Sequence, residues 1–396
     1  MSHRLNDPRL SERVHLFPES VIRGMTRLAN QHGAVNLAQG FPDWNPPREA
    51  IEAAKAALDG DHNQYAVTWG TPALRQAIVD YSRRDGLQVD ADKNVTVTCG
   101  ATEAMMAAML ALVNPGDETI VFEPFYENYG PDAVLSGAKP RFVSLYPDRG
   151  YCFDEEELKA AFTPKTKAII VNTPNNPSGK VLTRAELKVI ADLCVDHDVV
   201  AVTDEIYNFL TYDGRPHVSL ATLPGMAERT ITIQGASKVF SATGWRVAWL
   251  LAPEVMSVAL RRVHDFLTVG APHPLQQGVA AALKLPDTYY RDLLSKYDRQ
   301  RHYLVGVLQK AGFRVQAPEG AYYVLSDFRD VKAPAEAKRD DRAFAEWLVK
   351  DVGLAGVPGS SFFSRPELGR SLIRFHFAKG DATLQAAEGK VRKLTA

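Results

Sequence analysis

The sequence predicts an α/β protein in which a large, doubly wound, mostly parallel sheet is followed by a smaller α+β domain. Short apolar runs alternate with helix-length segments through the middle of the chain, a pattern typical of parallel sheets covered by helices on both faces. After about residue 285 longer helical stretches alternate with a few strand candidates. A length of 396 residues suits such a pair of domains.

The composition narrows the functional classes. Hydrophobic residues make up 45% of the chain and charged residues 23%, which is ordinary for a globular protein. With 46 basic and 47 acidic residues the net charge is −1, so we expect neither nucleic acid nor a membrane as a partner. Cys99, Cys152 and Cys194 are scattered and odd in number, which favours a reducing cytoplasm and argues against a structural metal site.

Each predicted element is placed by its apolar pattern. The strands of the large sheet are predicted at 94–99, 119–122, 168–172, 199–204, 230–233 and 247–252, with helices at 102–113, 183–197 and 253–266. The later part is predicted to hold helices at 289–311 and 341–352 and strands at 313–316, 321–325 and 371–377. We divide the chain into an N-terminal arm (1–45), a large domain (46–285) and a small domain (286–396).

Ligands of doubly wound sheets bind beyond the carboxyl ends of the strands. Residues that could react with a cofactor or bind it stand at these positions. Asp204 ends one apolar run, and Lys238 follows another. Pyridoxal phosphate (PLP) needs a lysine for its aldehyde, a buried carboxylate for its ring nitrogen and an anion site for its phosphate. A solvated lysine and an aspartate that caps a helix are the ordinary alternatives for these two residues.

Further candidates complete a PLP site. Tyr207 and Asn176 could donate hydrogen bonds to the phenolate oxygen of the cofactor, although a core tyrosine and a plain Asn-Pro turn are the alternatives. The turn Gly100-Ala101-Thr102 joins a strand to a helix, where free N–H groups favour an anion. Arg246 and the hydroxyl of Ser237 could add to that phosphate site.

Arg374 stands among apolar residues of a strand candidate. It could grip a substrate carboxylate in a cleft or be an exposed strand arginine, and the sequence favours neither.

Taken together, these segments resemble the fold type I, class I PLP-dependent aminotransferases. The most similar branch contains the kynurenine/glutamine transaminases (cysteine-S-conjugate β-lyases) and the bacterial methionine and aromatic aminotransferases. The resemblance covers nearly the whole chain, and it is specific as an ordered set of motifs at 36–43, 63–65, 123–126, 172–177, 204–207, 240–246 and 373–387.

The resemblance implies a role for each candidate, in a homodimer with shared active sites. Lys238 would be the Schiff-base lysine, Asp204 would hold the pyridine nitrogen, and Tyr126 would stack on the ring. The phenolic oxygen of the cofactor would be bound by Tyr207 and Asn176. Its phosphate would be bound by Ala101, Thr102, Arg246, and Tyr65 from the neighbouring subunit. The substrate carboxylate would be bound by Arg374, Asn176 and the backbone of Gly40.

Two departures from the branch bear on this expectation. Gly235 stands where a serine is common, so Ser237 would take over a phosphate contact. Val269 and Gly270 replace an aromatic pair of the animal kynurenine enzymes, which weakens kynurenine as the main substrate.

We therefore expect an aminotransferase that moves the amino group of an L-amino acid to a 2-oxo acid, with glutamine, methionine or an aromatic amino acid as donor. The alternatives are a PLP-dependent cysteine-S-conjugate β-lyase, an N-succinyldiaminopimelate or aspartate-type aminotransferase, and a non-catalytic protein that keeps the fold.

Overall fold

A computed structural model describes residues 7, 9–17 and 19–394 of the chain. Its strands are β1 (Val35–Asn36), β2 (Val95–Thr98), β3 (Glu118–Glu123), β4 (Lys139–Ser144), β5 (Thr166–Asn172), β6 (Val200–Asp204), β7 (Thr230–Gly235), β8 (Ala248–Leu251), β9 (Arg314–Val315), β10 (Tyr323–Asp327), β11 (Leu354–Ala355), β12 (Val357–Pro358) and β13 (Leu372–His376). Its α-helices are α1 (Val21–His32), α2 (Arg48–Asp59), α3 (Pro72–Ser82), α4 (Ala101–Leu112), α5 (Tyr129–Ser136), α6 (Glu155–Ala161), α7 (Arg184–Asp196), α8 (Ala236–Val239), α9 (Glu254–Thr268), α10 (His273–Leu283), α11 (Asp287–Lys310), α12 (Asp341–Trp347) and α13 (Asp381–Val391).

The large sheet has seven strands in the order β2-β8-β7-β6-β5-β3-β4. The pairs from β7 through β6, β5 and β3 to β4 are parallel, whereas β8 runs antiparallel to both β7 and β2. Every residue of β7 is buried, as expected for a strand with helices on both faces. The predicted mostly parallel α/β sheet is confirmed.

Two details of this sheet were not predicted. The edge strand β4 was missed because it opens on Lys139-Pro140-Arg141, and proline and charged residues are typical of edge strands rather than of apolar runs. The run at 247–252 forms β8, which is antiparallel. The link from β7 to β8 contains only the four-residue α8 and a 3₁₀ turn, Thr243–Trp245, whereas parallel neighbours are usually connected through a longer helix.

The ends of the helices follow from local capping. Thr183 and Glu186 form a reciprocal capping box at the start of α7, which satisfies N–H groups that the first turn leaves free. The side chain of Thr71 accepts from Leu74 N–H at the start of α3, where Pro72 occupies the first position. The helix predicted at 341–352 is α12 only as far as Trp347, and a π-helical turn, Leu348–Val352, continues it.

The later part of the chain builds a four-stranded antiparallel sheet in the order β12-β13-β10-β9. The opening segment joins a separate pair, in which β1 lies parallel to β11. As predicted, it contributes no strand to the seven-stranded sheet. The domain boundaries at residues 45 and 285 stay predictions. Within the described ranges we find no helix with the length and apolar character that crossing a bilayer requires.

Candidate active site

A cavity of about 960 Å³ lies at the carboxyl ends of the central strands and reaches residues that follow β12 and lie on β13. Most of the residues predicted for the site line it: Gly40, Ala101, Thr102, Tyr126, Asn176, Asp204, Tyr207, Ser237, Lys238, Arg246 and Arg374. The topology thus brings together side chains from distant parts of the sequence.

Lys238 lies on α8, immediately after β7. Its Nζ is 3.3 Å from the carbonyl oxygen of Gly40, to which it can donate. The ammonium stands 5.7 Å from the ring centre of Tyr207 and 5.5 Å from that of Tyr322. Burial lowers the pKa of Lys238 below its usual value, although Tyr323 and Asp204 act in the opposite direction. A lysine with a lowered pKa is suited to act as a nucleophile and a proton carrier.

Asp204 ends β6 and is 7% exposed. The hydroxyl of Tyr129 donates to its Oδ2 at 2.7 Å, and the N–H of Ile206 donates to its Oδ1 at 3.2 Å. Burial raises the pKa of Asp204, and these hydrogen bonds only partly oppose that shift. A cationic partner would stabilise the ionised carboxylate in this place.

A second buried carboxyl, Asp132, lines the same cavity. Burial and the neighbouring charge of Asp204 raise the pKa of Asp132 to about 8, so Asp132 is mainly neutral at pH 7. Its Oδ2 lacks a hydrogen-bond partner among the described residues.

Tyr207 and Asn176 face the cavity from the loops that follow β6 and β5. The hydroxyl of Tyr207 lies 3.0 Å from that of Tyr323, and burial raises the pKa of Tyr207. Asn172 Oδ1 accepts from the N–H of Asn176 at 2.8 Å, while its amide donates to the carbonyl of Asp204 at 2.8 Å. The Asn-Pro turn is therefore tied to the strand that ends in Asp204.

The predicted anion site lies where β2 turns into α4. Gly100 adopts φ +86°, and a Cβ there would stand 2.6 Å from the guanidinium carbon of Arg246, so only glycine lets Arg246 approach this turn. Arg246 itself has φ +55° and donates to the carbonyl of Thr243 at 3.1 Å. Gly100 does not line the cavity directly but shapes it through this contact.

Gly235 also has no room for a side chain. A Cβ there would lie 2.8 Å from the Cβ of Ala248, so a serine would require the strands to shift. At the start of α8, Ser237 is therefore the residue whose hydroxyl could contact the phosphate, and it lines the cavity.

Arg374 is completely buried on β13. Its guanidinium lies between two rings, 4.4 Å from the centre of Tyr323 and 4.8 Å from that of Phe362. It donates to Asn176 Oδ1 and to the carbonyl of Ala38, both at 2.8 Å. Its Nε has no hydrogen-bond partner in the described part of the chain. A buried cation with a spare donor is well suited to bind a carboxylate.

The sequence analysis missed four site residues: Tyr129, Asp132, Tyr322 and Tyr323. Tyr322 donates to the carbonyl of Gly40 at 2.9 Å, and a Cβ on Gly40 would collide with the ring of Tyr323. Tyr322 and Tyr323 fall within the predicted strand 321–325, and that strand is the only signal the sequence offered for them. Tyr129 and Asp132 stand at the start of α5, where nothing in the sequence pattern distinguishes them.

Tyr65 is 86% exposed and lies outside the cavity lining. It belongs to a patch of exposed apolar side chains on its own loop and at the end of α9: Tyr65, Val67, Phe266, Leu267 and Val269. The loop and α9 are in contact, since the side chains of Thr68 and Asp265 lie within hydrogen-bond distance, at 3.4 Å. Exposed apolar side chains grouped in this way are typical of a protein interface.

Two groups of acidic residues and a histidine stand close enough to hold a cation, namely Asp85, Glu205 and His217, and Asp213, Asp298 and His302. In the buried group the carboxylates already have partners: Asp85 accepts from Asn208 and Gln234, and Glu205 accepts from Ser219. The expectation of no metal site stays a prediction.

Comparison with known proteins places the chain in a family. Residues 32–387 match the family Aminotransferase class I and II. The chain belongs to this family. It is 40% identical to the human kynurenine–oxoglutarate transaminase 1 over 395 residues, which cover 93% of this chain and 94% of the human protein. It is 38% identical to a probable N-succinyldiaminopimelate aminotransferase, DapC, of Mycobacterium tuberculosis, with 97% of both chains covered.

Solved structures agree. The N-succinyldiaminopimelate aminotransferase of Mycobacterium tuberculosis superposes with a TM-score of 0.93 at 38% identity, covering 97% of this chain and all of that one. YbdL of Escherichia coli, for which a methionine aminotransferase function is identified, gives 0.91 at 35% identity, with 97% and 99% covered.

These comparisons confirm the predicted branch, the fold type I architecture and the enzyme class: the protein is an aminotransferase. The family implies PLP as cofactor and an amino acid and a 2-oxo acid as substrates. The relatives carry different substrate names, so the family alone does not select the amino donor.

Proposed function

We propose that this aminotransferase binds PLP through Lys238 and transfers the amino group of a medium-sized, partly apolar L-amino acid to a 2-oxo acid. One observation carries the proposal. A partly buried lysine with a lowered pKa, a buried carboxylate and a buried arginine with a spare donor all face the same cavity.

The donor set of the cavity fits PLP. Asp204 would keep the ring nitrogen protonated, and Tyr207 with Asn176 would hold the ring oxygen. The start of α4 and Arg246 supply the N–H groups and the cation that a phosphate requires, and the tight contact of Gly100 with Arg246 supports this assignment. The phosphate group would thus be held by Gly100, Ala101, Thr102, Ser237 and Arg246, while Tyr126 would pack on the ring.

When bound, PLP withdraws electron density from the α-carbon of the substrate. Lys238 would then carry the proton that leaves and returns at that carbon, which requires a neutral amine and hence the lowered pKa. Arg374 would bind the substrate carboxylate, with Asn176 and the backbone of Gly40 beside it. Lys238, Asp204 and Tyr207 are therefore the proposed catalytic residues.

The wall of the cavity away from Lys238 supports glutamine, methionine or an aromatic amino acid as donor. Its apolar members are Leu16, Phe17, Ile22 and Phe363, and its charged members are Glu19, Arg23, Glu127 and Arg342. A wall that mixes apolar surface with exposed charges suits a donor with an apolar stem and a polar end. The names of the relatives make N-succinyldiaminopimelate and kynurenine further candidate donors. A β-lyase would use the same residues.

The exposed apolar patch supports a homodimer in which Tyr65 reaches the phosphate site of the neighbouring subunit. Mixing two inactive variants tests this assignment. A hybrid of Tyr65→Ala with Lys238→Ala would contain one site with both residues intact, so activity should reappear on mixing. A monomer in solution, or hybrids without activity, would contradict the shared site. The cytoplasmic location expected from the cysteines stays a prediction.

Reconstitution with PLP tests the proposed chemistry. Borohydride reduction of the reconstituted protein should fix the cofactor to the peptide that contains Lys238. Adding an amino donor without an oxo acid should convert the cofactor to its amine form, and a panel of donors ranks the substrates. Pyruvate and a free thiol released from a cysteine conjugate would favour the β-lyase instead. Failure to bind PLP would overturn the proposal.

A further inference from the structure

His264 lies on α9, buried, between two other parts of the chain. Its Nδ1 is 3.0 Å from Oε1 of Glu103, and its Nε2 is 2.9 Å from the carbonyl oxygen of Thr68. A carbonyl oxygen and an ionised carboxylate can only accept hydrogen bonds. Both contacts are therefore hydrogen bonds only when the ring carries two protons and a positive charge. The hydroxyl of Thr268, 3.3 Å from Nδ1, is the competing partner of a neutral ring.

Glu103 connects this histidine to the anion site. It lies in the first turn of α4, and its Oε2 accepts from the N–H of Cys99 at 3.0 Å. Its carboxylate therefore sits at the same strand-to-helix turn as Ala101 and Thr102. A negative charge at a helix N-terminus competes with a bound anion for the positive end of the helix. An imidazolium beside Glu103 removes that competition.

Thr68 connects the histidine to the loop that carries Tyr65. A second contact binds the end of α9 to the turn after β2: the thiol of Cys99 donates to the carbonyl of Gly270 at 3.3 Å. His264 thus joins the phosphate turn of its own subunit to the loop that would complete the phosphate site of the other.

We propose that His264, as an imidazolium, is a positioning residue for PLP: it neutralises Glu103 at the phosphate turn and fixes the Tyr65 loop. The proposal rests on the proposed function, because it assigns the phosphate to this turn. It predicts that cofactor affinity contains a contribution that is lost when His264 loses its proton.

The direction of the pH effect follows from the groups around His264. Burial alone would lower its pKa, but the hydrogen bond and charge of Glu103, the carbonyl of Thr68 and the charge of Asp265 outweigh burial, so the pKa of His264 is raised. Two further groups stand near Glu103: the N–H of Cys99 donates to it, and the charge of Arg246 acts on the Cys99 thiol. Because the charged form is the supporting one, the contribution is fully present below the ordinary histidine pKa of 6.5 and is lost as the pH rises through the raised pKa.

The experiment measures the dissociation constant of PLP for the apoprotein of the wild type and of three variants. His264→Gln leaves Glu103 uncompensated, and we expect affinity at pH 7 to fall at least tenfold. Glu103→Gln can donate to a neutral His264 and still accept from Cys99, so we expect a change within about threefold. In the double variant the affinity should return to within about threefold of that of Glu103→Gln. The matched control is His302→Gln, at an exposed histidine, which should leave PLP affinity unchanged.

A second measurement reads the proton directly. In protein labelled with ¹³C-histidine, the His264 resonance, assigned with His264→Gln, should titrate at a higher pH in the wild type than in Glu103→Gln. The loss of PLP affinity from pH 7 to pH 9.5 should be smaller in Glu103→Gln than in the wild type.

The outcomes separate the two proposals. A wild type that does not bind PLP would overturn the proposed function. A wild type that binds PLP while His264→Gln binds it equally well, or a His264 that titrates no higher in the wild type than in Glu103→Gln, would overturn this inference alone. Recovery of affinity in the double variant supports it, because a merely structural histidine would not be rescued by a second substitution.

Discussion

The inner end of the cavity and its rim are built from different parts of the molecule. At the inner end, Asp204 ends a strand of the large sheet, while Asn176 and Lys238 follow two others; Asp204 and Asn176 are buried and Lys238 is partly buried. At the rim, Glu19, Arg23 and Arg342 lie on the opening segment and on α12 and are exposed. The inner residues are fixed by strand order and by buried hydrogen bonds. The rim side chains are exposed to solvent, and the contact that Glu19 makes, an ion pair with Arg27, is itself exposed, so donor preference can change there without disturbing the chemistry.

Removing the amine at the inner end should have the largest effect. We expect Lys238→Ala to lose at least about 10³-fold in kcat, because proton transfer and nucleophilic attack both depend on this amine. Steady-state assays with the best donor check it, with the exposed Lys188→Ala as control. Activity of Lys238→Ala within tenfold of the wild type would contradict the catalytic role of the inner end of the cavity.

The charge of Asp204 comes next. Asp204→Asn can keep a contact with Tyr129 but cannot stabilise a cationic ring, and we expect kcat to fall about 10²-fold or more. Asp132→Asn is the matched buried control. Since the pKa of Asp132 is raised to about 8, this carboxyl is neutral below that pH. Asp132→Asn should match the wild type at pH 7 and differ from it above pH 8.

Arg374 should act on substrate affinity. Arg374→Ala removes charge-assisted hydrogen bonds, each worth about 1.5–3 kcal/mol, so KM for the amino donor should rise about tenfold to 100-fold. The exposed Arg370→Ala is the control and should leave KM unchanged. A loss in kcat with an unaltered KM would place Arg374 outside substrate binding.

Tyr323, a site residue that the sequence did not reveal, offers the next prediction. Tyr323→Phe removes one hydroxyl from the pair with Tyr207, and a typical hydrogen bond of about 1 kcal/mol corresponds to a loss of about fivefold in kcat/KM. In a double-mutant cycle with Tyr207→Phe the effects should not add. Strictly additive losses would show that the two hydroxyls act separately.

The smallest effect is expected at the rim. Arg342→Ala should change kcat/KM by less than about fivefold, since exposed charges contribute about 0.2–1 kcal/mol. The change should differ between an acidic and an apolar donor, which a competition assay measures. Equal changes for all donors would remove Arg342 from donor selection.

The same contrast explains what the sequence could predict. The apolar runs located most strands of the large sheet because buried strands must be apolar, and Asp204 and Lys238, which stand at the ends of two of these runs, both line the cavity. The edge strand β4 escaped because an exposed strand leaves no apolar run, and the antiparallel direction of β8 escaped because an apolar run does not report strand direction. Tyr323 and Asp132 escaped because only tertiary packing brings them to the cavity. His264 escaped for the same reason: its partners lie on α4 and on a remote loop.

Gly40 offers a consequence for protein engineering. Its missing Cβ is the space that the ring of Tyr323 occupies, while its carbonyl meets both Tyr322 and Lys238. No larger residue can be introduced at position 40 unless position 323 shrinks in the same step. Libraries that seek new donors should therefore vary these two positions jointly or leave both untouched.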